Sequence, residues 1–384
     1  MAFGFTDKQD RFRKEVRDFL EREIQPHTRE RSPSGDFPRD LWQKAGRFGL
    51  LGIGLPEAYG GRPGGAVMRG IIAEEMGRID LALAFTLVPS YGTAMAVLFG
   101  GSEKQKETWI PGFISGEKLG STGMTEPDCG SDLSHIRTRA GKEKNAYILK
   151  GEKSYVSWGT VGDVIWIFAK TDKDRHPKDM TCFLLPLDLK GIIKSSFPQM
   201  GLHEAGHSAL YLEDVRVPVE CRMGKEGQGL ALAAKVFPHT RMILSLSALG
   251  AARISLEQAV EFTRNRAAFG KKLGQFEGIS FKLAEDATSI EAARWLCYRS
   301  LWLMDQGERC IKEIAMSKWM STEVALRTIH NALLIHGHRG YRKGLPFDRR
   351  YRDIIGFEIA EATPQILKLT ICEEILGKDL RPYC

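Results

Sequence analysis

Two short stretches of the sequence carry residue types that could do chemistry. In the first, FEIAEATPQILKL, Glu361 stands among apolar residues just before a helix start at Thr363 and Pro364. A carboxylate in apolar surroundings has its charged form disfavoured, which raises its pKa and makes it a candidate general base. On the residues alone, an acidic side chain that interacts favourably with the helix dipole is the simpler interpretation.

The second stretch is HEAGH, from His203 to His207, which matches the HExxH pattern of zinc hydrolases. That site needs a helix, because only helical spacing puts both histidines on one face. Pro198 and Gly201 lie upstream, and the alternating run SALYLEDVRVPV downstream is typical of a strand. The flanking residues therefore favour a loop, and no metal site is expected. A zinc hydrolase is kept as a minor alternative.

Length and composition limit the classes of protein. A chain of 384 residues is long enough for two or three domains, and its net charge of +7 contains no long basic run, so nucleic acid is not expected as a partner. Apolar runs fall short of the ~20 residues that cross a bilayer, which predicts no membrane span. Because the seven cysteines are scattered and no signal segment is recognised, we expect a reducing cytoplasm.

The elements that must position these residues fall into three regions. Helical spacing dominates residues 1–120, and short apolar or alternating runs between turns predict a β domain over residues 121–238. Residues 239–384 predict four long helices packed as an antiparallel bundle. The expected fold class is thus α+β, mostly α, with N-terminal helical, middle β and C-terminal bundle domains. Neither GxGxxG nor a P-loop motif is present, so a nucleotide cofactor would need another mode of binding.

Five motifs in order resemble the acyl-CoA dehydrogenase family along essentially the whole chain. They are TEPDCGSD, GEKSYVSWG, MGLHEAGHSALYLEDVRVP, RNRAAFGKKLGQFEGISFKLAEDA and HGHRGYRKGLPFDRRYRDIIGFEIAEATPQI. The resemblance implies the same three-domain fold, noncovalently bound FAD, and removal of a proton and a hydride from adjacent carbons of an acyl-CoA. It also implies a homotetramer that passes electrons to an electron-transfer flavoprotein.

The resemblance assigns roles by position. Glu361 falls on the glutamate of the family's EGT motif, which is the base, and the substrate's hydride passes to flavin N5. A second family arrangement puts the base at the position of Thr240, and a threonine cannot serve as that base. The implied contacts with the flavin end of FAD are Met124, Thr125, Ser131, Tyr155 and Ser157. Arg266 and Phe269 are implied to contact the FAD of a neighbouring subunit, and Thr363 and Gln365 to contact FAD beside the base. The implied substrate contacts are Ser131 near the thioester, Arg241 at the CoA, Tyr91 at the acyl pocket and Ala362.

Some positions depart from the family pattern. Ala362 replaces the glycine of EGT, and Glu277, Leu334 and His338 replace residues expected at FAD. The stretch from Ile79 to Ser102 has no Arg or Lys, which predicts an uncharged short, branched or alicyclic acyl chain. Three alternatives stay open: an enzyme acting on acyl-carrier-protein thioesters, an enoyl-CoA reductase, and a noncatalytic oligomer partner.

Overall fold

The computed structural model describes residues 4–28, 37–171 and 180–380. Its N-terminal region consists of helices α1 to α6, which are Asp7–Glu23, Arg39–Phe48, Ala66–Ile79, Leu81–Phe85, Leu87–Gly100 and Glu103–Ser115. Helix α1 begins at a capping box between Thr6 and Gln9 and buries Phe12, Val16 and Leu20, which recur at helical spacing. This region therefore folds by the periodicity that its sequence predicts.

Helices α4 and α5 form the most apolar part of the chain. The stretch Leu81–Gly100 is long and apolar enough to cross a membrane by composition, contrary to the expectation from the sequence, but 94% of it is buried inside the protein. Helix α5 packs against α7, Gly229–Asn265. The apolar composition is thus explained by a position in the core.

The middle region is a β domain of two four-stranded sheets with a shared core between them. The sheets have the orders β1-β4-β5-β8 and β2-β3-β7-β6. Strands β1 to β8 are Gly120–Gly123, Arg139–Lys142, Ala146–Val156, Val164–Ala169, Thr181–Pro186, Ile192–Ser196, Ser208–Pro218 and Arg222–Met223. Each of β3 and β7 contains two runs that the sequence predicts as separate strands. The register of the pairing between β3 and β7 shifts along their length, so each strand continues through the polar stretch that interrupts its alternation.

The C-terminal region is a helical bundle. Its helices α7 to α12 are Gly229–Asn265, Glu277–Asp305, Ile311–Ile335, His338–Tyr341, Phe347–Ile359 and Pro364–Leu376, and the hairpin strands β9 and β10 are Ala267–Ala268 and Lys271–Lys272. Position 238, the predicted boundary, lies inside α7, because Pro238 is accommodated within this helix instead of preceding it. Helix α11 is a further long helix that the sequence analysis did not predict.

Candidate active site

Glu361 lies in the turn between α11 and α12. Helix α11 ends at Ile359 and α12 begins at Pro364, so four residues reverse the chain. Glu361 and Ala362 have φ values of 58° and 92°, in the left-handed region that normally favours glycine. Two consecutive non-glycine residues there cost free energy, so surrounding contacts must hold the turn.

Helix α7 supplies two of those contacts. The hydroxyl of Thr240 donates to the Glu361 carboxylate at 2.6 Å, and the guanidinium Nε of Arg241 donates to the Glu361 carbonyl at 3.0 Å. Burial raises the pKa of Glu361 above its ordinary value, and the Thr240 hydrogen bond and the charges of Arg241 and Lys318 offset part of that rise. The carboxylate is therefore both oriented and made more basic.

Lys318 of α9 is a third contact, which was not predicted from the sequence. Its side chain is fully buried, and Nζ donates to the carbonyls of Glu358 and Ala362 at 2.8 and 2.7 Å. Burial lowers the pKa of Lys318 to about 8. The sequence did contain a signal, because a lysine three residues after Ala315 lies on the buried face of this helix.

Helix α5 approaches the same place from the other side. A Cβ built on Gly92 would lie 3.2 Å from the methyl group of Thr240, so the two helices are in close contact there. Tyr91, predicted to line an acyl pocket, is buried and donates its hydroxyl to the Leu50 carbonyl at 2.6 Å. This hydrogen bond holds α5 to the segment that carries Leu50, and the contact of the Tyr91 ring with an acyl chain stays a prediction.

The predicted flavin loop, residues 124–131, follows β1 and is held from beneath by a buried ion pair. Lys153 is fully buried, and its Nζ donates to Glu126 at 2.7 Å and to the Met124 carbonyl at 3.3 Å. Glu126 also accepts from the backbone and hydroxyl of Thr138. The hydrogen bonds of Lys153 and Glu126 fix the loop from the protein interior. The hydroxyl of Thr125 can therefore face a ligand.

Four of the predicted cofactor residues lie in two places. Tyr155 is 64% exposed and has a left-handed backbone, and with Ser157 it lies where β3 ends. Arg266 and the 96% exposed Phe269 belong to the hairpin beyond α7, where Phe269 packs near Phe276 and not beside Glu361.

Three further predicted residues lie in open positions. Ser131 is exposed, Thr363 is the N-cap of α12 without a side-chain capping bond, and Gln365 is exposed. Their side chains are accessible, so each can contact a ligand that lies against the loop or against the start of α12.

HEAGH does not form a zinc-hydrolase helix. His203–Ala205 is a single 3-10 turn, and His207 lies after it, immediately before β7. Glu204 forms an ion pair with Arg349, and no cluster of three or more potential metal-ligating residues occurs in the described part of the chain. The geometry supports the loop interpretation of this motif.

Three family models together match most of the chain. They are "Acyl-CoA dehydrogenase, N-terminal domain" over residues 6–117, "middle domain" over 121–215 and "C-terminal domain" over 227–376. The chain belongs to the acyl-CoA dehydrogenase family. It is accordingly an FAD-dependent enzyme that acts on CH–CH groups, and the predictions of family, fold class, enzyme class and cofactor are confirmed.

Several relatives of this family member are similar over nearly their full length. An "Acyl-CoA dehydrogenase" of Bacillus subtilis is 35% identical, with 97% of this chain and 99% of the relative covered. The "Acryloyl-CoA reductase (NADH)" of Anaerotignum propionicum is 34% identical, covering 98% and 97%. The "Caffeyl-CoA reductase-Etf complex subunit CarC" of Acetobacterium woodii is 31% identical, covering 97% and 100%.

Solved structures share the fold. Butyryl-CoA dehydrogenase from Megasphaera elsdenii has a TM-score of 0.93 and 32% identity, with 98% of this chain and 100% of that chain covered. The prolyl acyl carrier protein oxidase AnaB has a TM-score of 0.93 and 29% identity, covering 97% and 100%. The FAD complex of PigA has a TM-score of 0.94 and 25% identity, covering 98% and 99%.

The residues present fit the FAD of an acyl-CoA dehydrogenase. The hydroxyls of Thr125, Ser131 and Ser157 have no hydrogen-bond partner among the described residues. Together with the exposed ring of Tyr155, they offer a ring-stacking face and uncommitted polar groups beside a rigid loop. Met124, Thr125, Ser131, Tyr155 and Ser157 would hold the flavin end of the cofactor.

Proposed function

We propose that this enzyme desaturates an uncharged short, branched or alicyclic acyl-CoA at its α and β carbons, with Glu361 as the base. The observation that carries the proposal is the Glu361 carboxylate, fixed at a helix junction by Thr240 and flanked by Arg241 and Lys318. Because burial raises the pKa of this carboxylate, it is a stronger base towards the weakly acidic carbon beside a thioester.

The chain's own groups account for the proton transfer. Glu361 takes the α-proton while the thioester carbonyl gains enolate character and needs a hydrogen-bond donor. The amide N–H of Glu361 has no backbone partner among the described residues, so it is available for that oxygen. FAD, when bound, accepts the hydride from the β-carbon.

The uncharged acyl group is proposed from the helices beside the base. Leu81–Gly100 contains no Asp, Glu, Lys or Arg, and α5 contacts α7 beside Thr240. A distal carboxylate buried there would find no opposite charge on α4 or α5, and an unpaired buried charge is costly. Straight, branched and alicyclic chains are therefore favoured over dicarboxylic ones.

We further propose a homotetramer that passes electrons to an electron-transfer flavoprotein in a reducing cytoplasm. Phe269, Phe281 and Tyr341 are large apolar or aromatic side chains exposed on the bundle, which supports a subunit interface. Similarity to the Etf-complex subunit of Acetobacterium woodii supports the electron acceptor. The described cysteines are all free, in keeping with a reducing compartment.

Two related activities are alternatives. The names of two relatives, acryloyl-CoA and caffeyl-CoA reductase, favour an enzyme that works in the reducing direction. Similarity to the prolyl acyl carrier protein oxidase favours a carrier-protein thioester. Both would use the same carboxylate, so only the substrate or the direction differs.

The test is an anaerobic titration of the FAD-loaded protein followed by its visible spectrum. Straight, branched, alicyclic and dicarboxylic acyl-CoAs are added separately, with the matching carrier-protein thioesters and enoyl-CoAs. Bleaching by an uncharged acyl-CoA is expected, and bleaching by a dicarboxylic one would contradict the substrate class. A folded protein that stays colourless after incubation with FAD would favour the noncatalytic alternative instead.

A further inference from the structure

Lys318 is the one buried lysine at the turn that carries the base, among the residues that the structure describes. It projects from α9 and spans the turn from beneath, reaching the carbonyl of Glu358 in the last turn of α11 and that of Ala362 just after the base. Glu361 lies between these two carbonyls. The lysine thus joins both ends of a five-residue segment, 358–362.

We propose that Lys318 is the positioning residue of the base: its ammonium group holds the carbonyls on both sides of Glu361 and so fixes where the carboxylate points. This inference rests on the proposed function, because it assigns Lys318 a role in the reaction that Glu361 performs. The hydrogen bonds of Lys318 go to these two backbone carbonyls and not to the Glu361 carboxylate.

The backbone of the turn explains why such a clamp is needed. Glu361 and Ala362 both have left-handed φ values, and each costs about 1–2 kcal/mol for a non-glycine residue. Such a conformation persists only where the surroundings over-determine it. Lys318 holds two carbonyls of the segment, and Arg241 holds a third, that of Glu361 itself.

The charge of Lys318 provides a second effect that geometry alone would not. An ammonium group close to a carboxylate stabilises its ionised form, and Lys318 acts on Glu361 in this direction, against the effect of burial. Arg241, from α7, and Thr240 are the other described groups acting on the carboxylate in that direction. Removing the charge of Lys318 should therefore raise the pKa of Glu361.

A merely structural lysine would stabilise the bundle without affecting the base. Arg350 of α11 provides the matched control, because it too is a buried cation that bonds neutral oxygens, those of Ser255 and Gln258. Its replacement removes a comparable buried cation from the helix that leads into the turn. It has no contact with Glu361 in the structure.

The experiment compares Lys318→Met and Arg350→Met in the FAD-loaded protein. We expect both to lower the thermal midpoint, but only K318M to lower kcat by about tenfold or more with little change in KM. We also expect the acid limb of kcat/KM for K318M to move up by about one pKa unit. Lys318→Arg, which keeps the charge and the donors, should recover most of kcat and the original acid limb.

Equilibrium titration of Glu361 keeps the inference testable without turnover. Difference infrared spectroscopy follows the protonated carboxyl band of Glu361, assigned by its loss in Glu361→Gln. A band in K318M that titrates at higher pH than in the wild type supports the role. An unchanged midpoint, or a kcat loss no greater than that of R350M, would overturn it.

Failure of Glu361 as the base and failure of Lys318 as its positioning residue give different results. The role of Lys318 also stays testable if K318M does not fold. If E361Q retained full turnover, the proposed base would be wrong whatever K318M does. If K318M did not fold, Lys318→Gln keeps an N–H donor without the charge and should show the same upward shift of the carboxyl band. Absence of the shift in that variant would overturn the role of Lys318.

Discussion

At the scale of single residues, the chemistry depends on opposing influences on one carboxylate. Burial raises the pKa of Glu361, while the Thr240 hydroxyl and the charges of Arg241 and Lys318 lower it. A base that was only buried would hold its proton at neutral pH, and one that was fully ion-paired would be too weak. The net effect raises the pKa of Glu361, which suits proton removal from a thioester.

Thr240→Val tests this balance with a nearly isosteric change. The hydroxyl that donates to Glu361 favours the charged form, so its loss should raise the pKa of Glu361 by up to about one unit. The acid limb of the pH profile of kcat/KM should move upward. Thr328→Val is the control, since that buried hydroxyl has no partner in the described structure, and a profile unchanged in both variants would contradict this role of Thr240.

Ala362→Gly tests the strain in the turn. Glycine adopts a φ of 92° without the steric strain of alanine, so the substitution should stabilise the protein by about 1 kcal/mol. Part of this gain is offset because glycine makes the unfolded chain more flexible and so raises the entropy lost on folding. Urea unfolding measures the change. Gly60→Ala is the reverse control, because Gly60 has a φ of 90° and open space around it. A loss of stability in A362G would argue against strain.

Part of the site was predicted from the positions of residues in sequence motifs. The rest is visible only in the contacts between residues that are distant in the sequence. Glu361 and Arg241 were predicted from the resemblance, and the structure joins them through the Glu361 carbonyl. Lys318 was missed because it lies 43 positions before Glu361 in the sequence and meets the turn only when α9 packs against it.

At the scale of elements, HEAGH has a structural role that its pattern did not predict. Glu204 of this turn, Asp80 at the start of α4 and Asp353 of α11 surround one cation, Arg349. Asp353 also accepts from the Leu202 amide at 2.7 Å. Three carboxylates share one guanidinium, so the cluster joins the middle domain to the helix that leads into the base turn.

Asp353→Asn should change how stability depends on pH. Burial raises the pKa of Asp353 from 3.8 to about 7, so the folded state keeps a proton that the unfolded state loses. The free energy of unfolding contributed by this group falls as pH rises from about 4 to 7, by about 1.4 kcal/mol per unit, and is level above that. Urea unfolding across this range should show a flatter dependence in D353N than in the wild type.

The control is Asp348→Asn, a partly exposed carboxylate on the same helix that pairs with Arg352. It should leave the slope of stability against pH as in the wild type. Parallel slopes for the wild type and D353N would contradict the assignment of the proton to Asp353.

Element boundaries illustrate where sequence patterns fail. Helix α11 was not predicted because three arginines, Arg349, Arg350 and Arg352, interrupt the apolar spacing of Phe347, Ile354 and Phe357. Two of these arginines are stabilised by tertiary partners, the carboxylate cluster for Arg349 and the α7 oxygens for Arg350. These partners are distant in the sequence, so the local pattern around the arginines does not indicate a helix.

At the scale of the whole molecule, a buried carboxylate joins the N-terminal helices to the bundle. Glu74 of α3 is fully buried and accepts from Arg13, Arg253 and Arg294 at 2.6–2.7 Å, and from Tyr298 at 2.6 Å. These partners come from α1, α7 and α8. The charges of the three arginines hold the pKa of Glu74 well below its usual range despite burial.

Glu74→Gln should destabilise the fold by about 3–5 kcal/mol, because it leaves buried guanidinium groups without their charge partner. The depressed pKa means that the stability from Glu74 is fully present above its unfolded pKa and is lost only as pH falls through its folded pKa. Urea unfolding at neutral pH measures the loss. Glu103→Gln, at the exposed pair with Lys106, is the control and should leave stability unchanged. Equal effects would contradict the role of the buried network.

The flavin spectrum of Glu361→Gln tests whether Glu361 removes the α-proton. Glutamine keeps the shape of the side chain but cannot accept the proton, so E361Q should bind FAD and be perturbed spectrally by the acyl-CoA that bleaches the wild type. Its rate of bleaching under anaerobic conditions should fall by about 10³-fold or more. An E361Q enzyme that bleaches at the wild-type rate would contradict the account.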